Sequence, residues 1–270
     1  MESVDRIGRR LRHRRSPRGE RVILHERDYE WFAILHRHGP LPTAYLHAFT
    51  KDRWRDYRMA SRRLALLFHE SSHIDRPWQQ FETLDPRSND LVHLLDRNGI
   101  DALRQAERYS EYAPAAGGTF KHQVMVSCIT ASIELGAKER GWRYIAQHEL
   151  LARAGSELSI DMDGPLRPDA MFALDMGGKF MVFFLEADRA TEPLNTKNVR
   201  KSWGRNVAQY RELIGRGLYR KTFTLKAPAV LLNVTIGNTR LDSMTRVVED
   251  AFPGGCAYML GHACPEFGTY

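Results

Sequence analysis

Residues 167–188 read Arg-Pro-Asp-Ala-Met-Phe-Ala-Leu-Asp-Met-Gly-Gly-Lys-Phe-Met-Val-Phe-Phe-Leu-Glu-Ala-Asp, and they decide the fold of the second half of the chain. Two apolar runs, Asp169–Leu174 and Phe180–Asp188, flank Met176-Gly177-Gly178-Lys179. A glycine pair between such runs predicts a two-residue hairpin loop, because both central residues need positive φ. If Met176 faces Lys179, Asp169 faces Glu186. Residues so opposed share a face with Cβ atoms about 4.5–5.5 Å apart. Two carboxylates at that distance repel unless a proton or a cation sits between them. Strand alternation puts Asp188 on the face of Glu186. Hard oxygen donors in a partly open site suit Mg²⁺ or Mn²⁺, which can activate water and stabilise charge on a phosphate. Two other arrangements stay open: the acids face solvent, or a longer loop shifts the register. The run Phe180–Leu185 reads as a strand buried on both faces, and acids at the end of such a strand are a common place for a site.

Outward from the hairpin, a helix is expected over about Lys201–Ile214, a strand over Ala229–Val234 and a last helix over Leu241–Phe252. Upstream, a long helix runs from His122 to about Glu139. Val126, Ile129 and Ile133 lie on one face, with Gln123, Ser127, Thr130 and Glu134 about a third of a turn round. A less regular stretch follows over Tyr144–Ala154. The order helix, strand, strand, helix, strand, helix is a mixed α/β arrangement. Residues 112–118, Tyr-Ala-Pro-Ala-Ala-Gly-Gly, are small and turn-rich and mark a domain boundary. The expected organisation is a basic flexible arm over 1–27, a DNA-binding domain over 28–111 and a second domain over 119–270.

Before that boundary the pattern is three helices and a hairpin. Asp28 is placed to cap a first helix with Trp31, Ile34 and Leu35 on its apolar side, ended by Gly39-Pro40. A second helix begins near Pro42. A third, Arg55–His69, carries Tyr57, Ala60, Leu64, Leu67 and Phe68 as a buried stripe and Arg55, Arg58, Ser61 and Arg62 on the opposite face. Ile74 opens a strand, Pro77-Trp78 turns it, and Phe81–Leu84 is the expected return. A linker over 85–90, a segment Leu91–Leu95 and a helix with Ala102 and Leu103 follow. Three helices and a hairpin, with an arginine stripe on the third, form the pattern of a winged helix-turn-helix that reads duplex DNA. A small helical subdomain with a salt-bridged outer face fits the same spacing, though the stripe lacks the alternating acids such a face carries. The first 21 residues hold eight arginines, Arg9, Arg10 and Arg12 among them, against Glu2, Asp5 and Glu20. An arm so charged gains counterion-release free energy on a polyphosphate; a tail that only aids solubility has the same composition.

Arg167-Pro-Asp169 and Glu186-Ala-Asp188 on neighbouring antiparallel strands, after a helix bearing Glu134, resemble the core of the PD-(D/E)XK nuclease superfamily. The whole chain, from about Asp28 to Phe252, resembles the replication-relaxation family of plasmid and mobile-element proteins. That resemblance implies Asp169, Glu186 and Glu134 as metal ligands, and a domain that cuts or nicks double-stranded DNA. It leaves open a homodimer and partner proteins of plasmid replication or transfer. The superfamily's lysine, two residues after the glutamate, is Asp188 here. Lys197 or Lys201 would have to reach back to replace it, and Gln209 and Tyr210 are further candidates for phosphate or water contacts. The alternative from another class is a catalytically silent accessory protein that clamps DNA. A transcriptional regulator with an effector domain is a third.

With 270 residues, 43% of them hydrophobic, and no apolar run near the roughly 18–20 residues a spanning helix needs, the chain reads as a folded cytoplasmic protein rather than a membrane one. Three thinly spread cysteines argue for reduced thiols and against a disulfide framework. Cys256, His262 and Cys264 match no common zinc spacing, and no G-x-x-x-x-G-K-[ST] loop implies ATP. His122 caps or packs its helix as readily as it serves catalysis.

Overall fold

The computed structural model describes residues 12–53, 55–83, 90–114, 118–162, 164–190 and 202–269. The chain divides into two compact units, Met1–Ala131 and Ser132–Tyr270. The division falls inside a long helix, past the small-residue stretch at 112–118, of which 115–117 lie outside the described residues. The start of that helix is tied to the first unit, since Ser127 Oγ donates to the His38 carbonyl at 2.7 Å and Thr130 Oγ1 meets His38 Nδ1 at 2.9 Å.

The first unit runs α1 (Glu26–His38), β1 (Leu41–Pro42), α2 (Thr43–Phe49), α3 (Tyr57–His69), β2 (Ile74–Asp75), a one-turn α4 (Gln80–Thr83), β3 (Val92–Leu95) and α5 (Arg97–Gln105). The three short strands form a sheet in the order β1-β3-β2, antiparallel throughout. Trp31, Phe32, Leu46, Leu64, Leu67 and Phe68 are buried at its centre. Three sequence expectations change here. Helix α1 starts at Glu26, and Asp28 is its third residue, accepting from the His25 N–H at 2.8 Å instead of serving as the N-cap. The strand returning to β2 is Val92–Leu95: Phe81 lies in α4, and Leu84 falls outside the described residues with most of the 85–90 linker. Tyr57, at the first turn of α3, is exposed and donates its hydroxyl to Asp90, so the buried stripe begins at Ala60.

Of the expected basic flexible arm over 1–27, the described part makes specific contacts. Arg15 donates to the Phe68 and Ile74 carbonyls, to Asp75 and to Asp96, and stacks over the Phe68 ring. The Glu70 carboxylate accepts the backbone N–H groups of Arg18, Gly19 and Glu20, at 2.8–3.2 Å, which hold it below the usual carboxylate range. Residues 12–25 therefore form a strap on the first unit without helix or strand.

The second unit begins within α6 (Phe120–Glu139), where the buried apolar residues are Val124, Met125, Cys128, Ile129, Ala131 and Ala137, while Val126 and Ile133 are half-buried. The stretch after it is more regular than the sequence suggests: β4 (Arg143–Ile145), α7 (Gln147–Ala154) and a small hairpin, β5 (Ile160–Met162) with β6 (Gly164–Leu166). Then come β7 (Ala170–Asp175), β8 (Phe180–Asp188), α8 (Trp203–Tyr210), a π-helical turn over Arg211–Gly215, α9 (Leu218–Thr222), β9 (Ala229–Thr235), α10 (Asn238–Ala251) and β10 (Met259–Ala263). The expected helix Lys201–Ile214 is thus α8 continued by a π turn, with Lys201 outside the described residues. Among the described residues, β10-β9-β8-β7-β4 form one mixed sheet, parallel from β8 to β10 and antiparallel from β8 to β4. Phe184 packs against Tyr210, Tyr219 and Phe223 on one sheet face; Phe183 stacks with Phe172, and Phe172 with Tyr144, on the other.

Candidate functional site

The β7–β8 hairpin closes as the glycine pair requires. Gly177 and Gly178 adopt φ of 75° and 89°, the Met176 N–H donates to the Lys179 carbonyl at 2.9 Å, and Asp175 pairs with Phe180. The register holds to Ala170 opposite Leu185, where the ladder ends; the Asp169 N–H also donates to the Leu185 carbonyl, at 3.0 Å, one residue out of that register, as at a β-bulge. Asp169 Oδ2 accepts the Ala187 N–H at 2.8 Å, which fixes its carboxylate at the end of β8. Glu186 projects from the same face as Phe184, where Tyr210 at the end of α8 donates its hydroxyl to Glu186 Oε1 at 2.5 Å.

Tyr210 is fully buried, and its hydroxyl is pushed well above the ordinary tyrosine range, first by burial, then by the charge and hydrogen bond of Glu186, then by the charge of Asp169. Both carboxylates therefore act on one phenolic hydroxyl, which stays protonated and donates. Two carboxylates are what Mg²⁺ takes from protein at many sites, the remaining positions going to water and phosphate oxygens; the donor chemistry of Asp169 and Glu186 fits such an ion. Among the described residues no group of three or more His, Cys, Asp or Glu side chains is placed to hold a metal, so Glu134 and Asp188 do not complete a carboxylate cage.

Asp188 has a different environment. Arg240, near the start of α10, grips it with two bonds, Nε to Oδ2 at 2.7 Å and Nη2 to Oδ1 at 3.1 Å, while Thr235 Oγ1 donates to Oδ2 at 3.0 Å. Lys197 and Lys201, the expected cations, lie outside the described residues. Gln209 turns to the β5–β6 hairpin, its Nε2 donating to the Gly164 carbonyl at 3.1 Å. One helical turn earlier, the Arg205 guanidinium fills the space that a Cβ at Gly164 would need. These two side chains fasten α8 to the segment that leads into Asp169. Arg240 and Arg205 were missed by sequence reasoning: Arg240 stands 52 residues from the acid it binds, and no local pattern joins them.

In the first unit, the Asp56 carboxylate caps α3 by accepting the Arg58 N–H at 2.7 Å. Arg55, Arg58 and Arg62 are exposed, Ser61 is half-buried, and none of the three guanidiniums forms an ion pair among the described residues. The next residue, Arg63, turns inward and grips the fully buried Asp28 through Nε at 3.0 Å and Nη2 at 2.7 Å. Arg12 is exposed, and its carbonyl accepts from Arg76 at 3.4 Å; Arg9 and Arg10 lie outside the described residues. Among the described residues no helix is long and apolar enough to cross a membrane.

The family model for replication-relaxation proteins matches residues 32–225 of the chain, which takes in α3, the β7–β8 hairpin and α8. No curated protein and no solved structure matches the chain.

Proposed function

The chain belongs to the replication-relaxation family, and from that premise we propose that it binds duplex DNA with its first unit and cleaves or nicks phosphodiester bonds with its second, using Mg²⁺ or Mn²⁺ held by Asp169 and Glu186. The family points to a role in plasmid or mobile-element replication. For DNA binding, the support is topological and electrostatic. Three helices with a sheet in the order β1-β3-β2 are the parts of a winged helix, and Arg55, Arg58 and Arg62 stand exposed along its third helix. For cleavage, helix α6, three antiparallel strands, helix α8 and the parallel strand β9 follow the order of a PD-(D/E)XK core. The observation that carries the proposal is the pair of carboxylates by the end of β8, Asp169 accepting the Ala187 N–H and Glu186 the Tyr210 hydroxyl.

In this reading Asp169 and Glu186 would hold the ion, which when bound would supply charge stabilisation for the scissile phosphate and a more acidic water. The protein's own groups do the positioning. The Ala187 N–H fixes Asp169, and the Tyr210 hydroxyl donates to Glu186 and orients it. Asp188, where the superfamily has lysine, brings Arg240 to the end of β8, and that guanidinium supplies the positive charge the lysine would have carried. The same ion pair favours the second reading, a silent DNA clamp, if Arg240 only neutralises Asp188. Homodimers and replication or transfer proteins are further partners to test. The deciding experiment incubates the full chain with supercoiled and linear DNA in Mg²⁺, Mn²⁺ or EDTA, beside Asp169→Ala. Metal-dependent nicked or linear product from the parent alone establishes the nuclease; no product, with duplex binding retained, establishes the clamp.

A further inference from the structure

Asn233 sits in β9 directly across from Glu186 in the parallel ladder, on the sheet face that Tyr210 covers. Partners in this register do meet: two residues along, Thr235 Oγ1 donates to Asp188 Oδ2 at 3.0 Å. Asn233 is 4% exposed, and its Oδ1 is buried with no hydrogen-bond donor. The orientation of the amide is decided by chemistry. Its other terminal atom lies 3.4 Å from Met244 Sδ, and a thioether only accepts, so that atom is the NH₂ and the orphan is the carbonyl oxygen. A buried acceptor left without a donor costs free energy and calls for a group that would satisfy it. Beside a carboxylate, a second oxygen dipole adds repulsion, which a cation relieves.

We infer that Asn233 Oδ1 is a third protein oxygen for the cation bound by Asp169 and Glu186. The inference rests on the metal reading above and deepens it. Asp169 just ahead of β7, Glu186 in β8 and Asn233 in β9 then each contribute one hard oxygen, two charged and one neutral, which leaves the other coordination positions to water and phosphate. The neutral donor also limits the negative charge facing an incoming phosphodiester.

The test measures Mn²⁺ binding to the full chain without DNA, by calorimetry and by the electron paramagnetic resonance signal of free Mn²⁺, for the parent, Asp169→Ala, Asn233→Ala and Asn233→Asp. The expected result is binding by the parent, loss of binding in Asp169→Ala, affinity about tenfold or more weaker in Asn233→Ala, and affinity equal to or above the parent in Asn233→Asp. Parental affinity in Asn233→Ala, with loss in Asp169→Ala, overturns the inference and leaves the metal reading standing. Absence of binding in the parent overturns both. If circular dichroism shows Asn233→Ala unfolded, the near-isosteric Asn233→Asp decides: equal or tighter Mn²⁺ binding supports the ligand role, and weaker binding overturns it.

Discussion

The two units treat charges of opposite sign in the same way. On α3 of the first, Arg62 stands in solvent while its neighbour Arg63 grips a buried aspartate, so one residue step separates an outward cation from a structural one. On β8 of the second, Glu186 lies against a neutral tyrosine while Asp188, two residues on, is held by Arg240. In each unit one charge is matched inside the fold and its close neighbour is turned toward something else. The matched members, Arg63 and Asp188, are scaffold; their neighbours, Arg62 and Glu186, are the members to test against a polyanion and a cation.

The largest expected effect separates scaffold from surface. Arg63→Ala leaves Asp28 buried and uncompensated and should destabilise the first unit by about 3–5 kcal/mol in urea unfolding, whereas Arg62→Ala should stay within about 0.5 kcal/mol. Equal losses would break the comparison. Next comes Glu186→Gln, which retains an acceptor for Tyr210 but removes a negative ligand. Metal-dependent cleavage should fall about a hundredfold or more, with duplex affinity unchanged in a gel-shift titration. A cleavage activity untouched by this change would belong to another site.

The units should also fail at opposite ends of the pH scale. His93 is fully buried, and burial, then the Arg76 charge, hold it well below the ordinary histidine range. The unfolded chain takes up that proton near pH 6.5, so this contribution is complete above about that pH and is lost on acidification at about 1.4 kcal/mol per pH unit. Tyr210 is an acid raised in the fold; its contribution is complete below about pH 10 and is lost at the same slope as the pH climbs further. Urea midpoints across pH should therefore fall at both ends, with His93→Gln flattening the acid limb and Tyr210→Phe the alkaline one. The smallest effect concerns DNA. Arg58→Ala with Arg62→Ala should lower the slope of log K against log salt by roughly 0.9 for each phosphate that is no longer neutralised, and an unchanged slope would assign the stripe to solubility.

What was legible in the sequence depended on how locally it is encoded. A glycine pair closes a hairpin within four residues, so Met176–Lys179 sufficed to set the β7–β8 register as far as Ala170 opposite Leu185. The spacing of Ala60, Leu64, Leu67 and Phe68 likewise marked the inner side of α3. Val92–Leu95 was harder, because its partner Ile74–Asp75 lies far back along the chain and the short apolar segment around Phe81 competes for the same role. The short strands β4 and β10 carry little pattern of their own, and pairing with β7 and β9 is what makes them strands. The same reason hid Arg240 and Asn233, whose meaning comes only from the strand beside them.

The strap formed by residues 12–25 has a consequence for synthesis. Arg15 is anchored partly by Asp96, 81 residues later in the chain. At about 5–20 residues per second, a ribosome needs on the order of ten seconds to make that anchor after Arg15 itself. During that interval the arginine-rich segment has left the tunnel without the carboxylates that later claim it, next to a ribosome whose RNA presents a polyanionic phosphate backbone. Docking of the strap is therefore a late event in the vectorial folding of the first unit, and the nascent chain passes through a more basic form than the finished one.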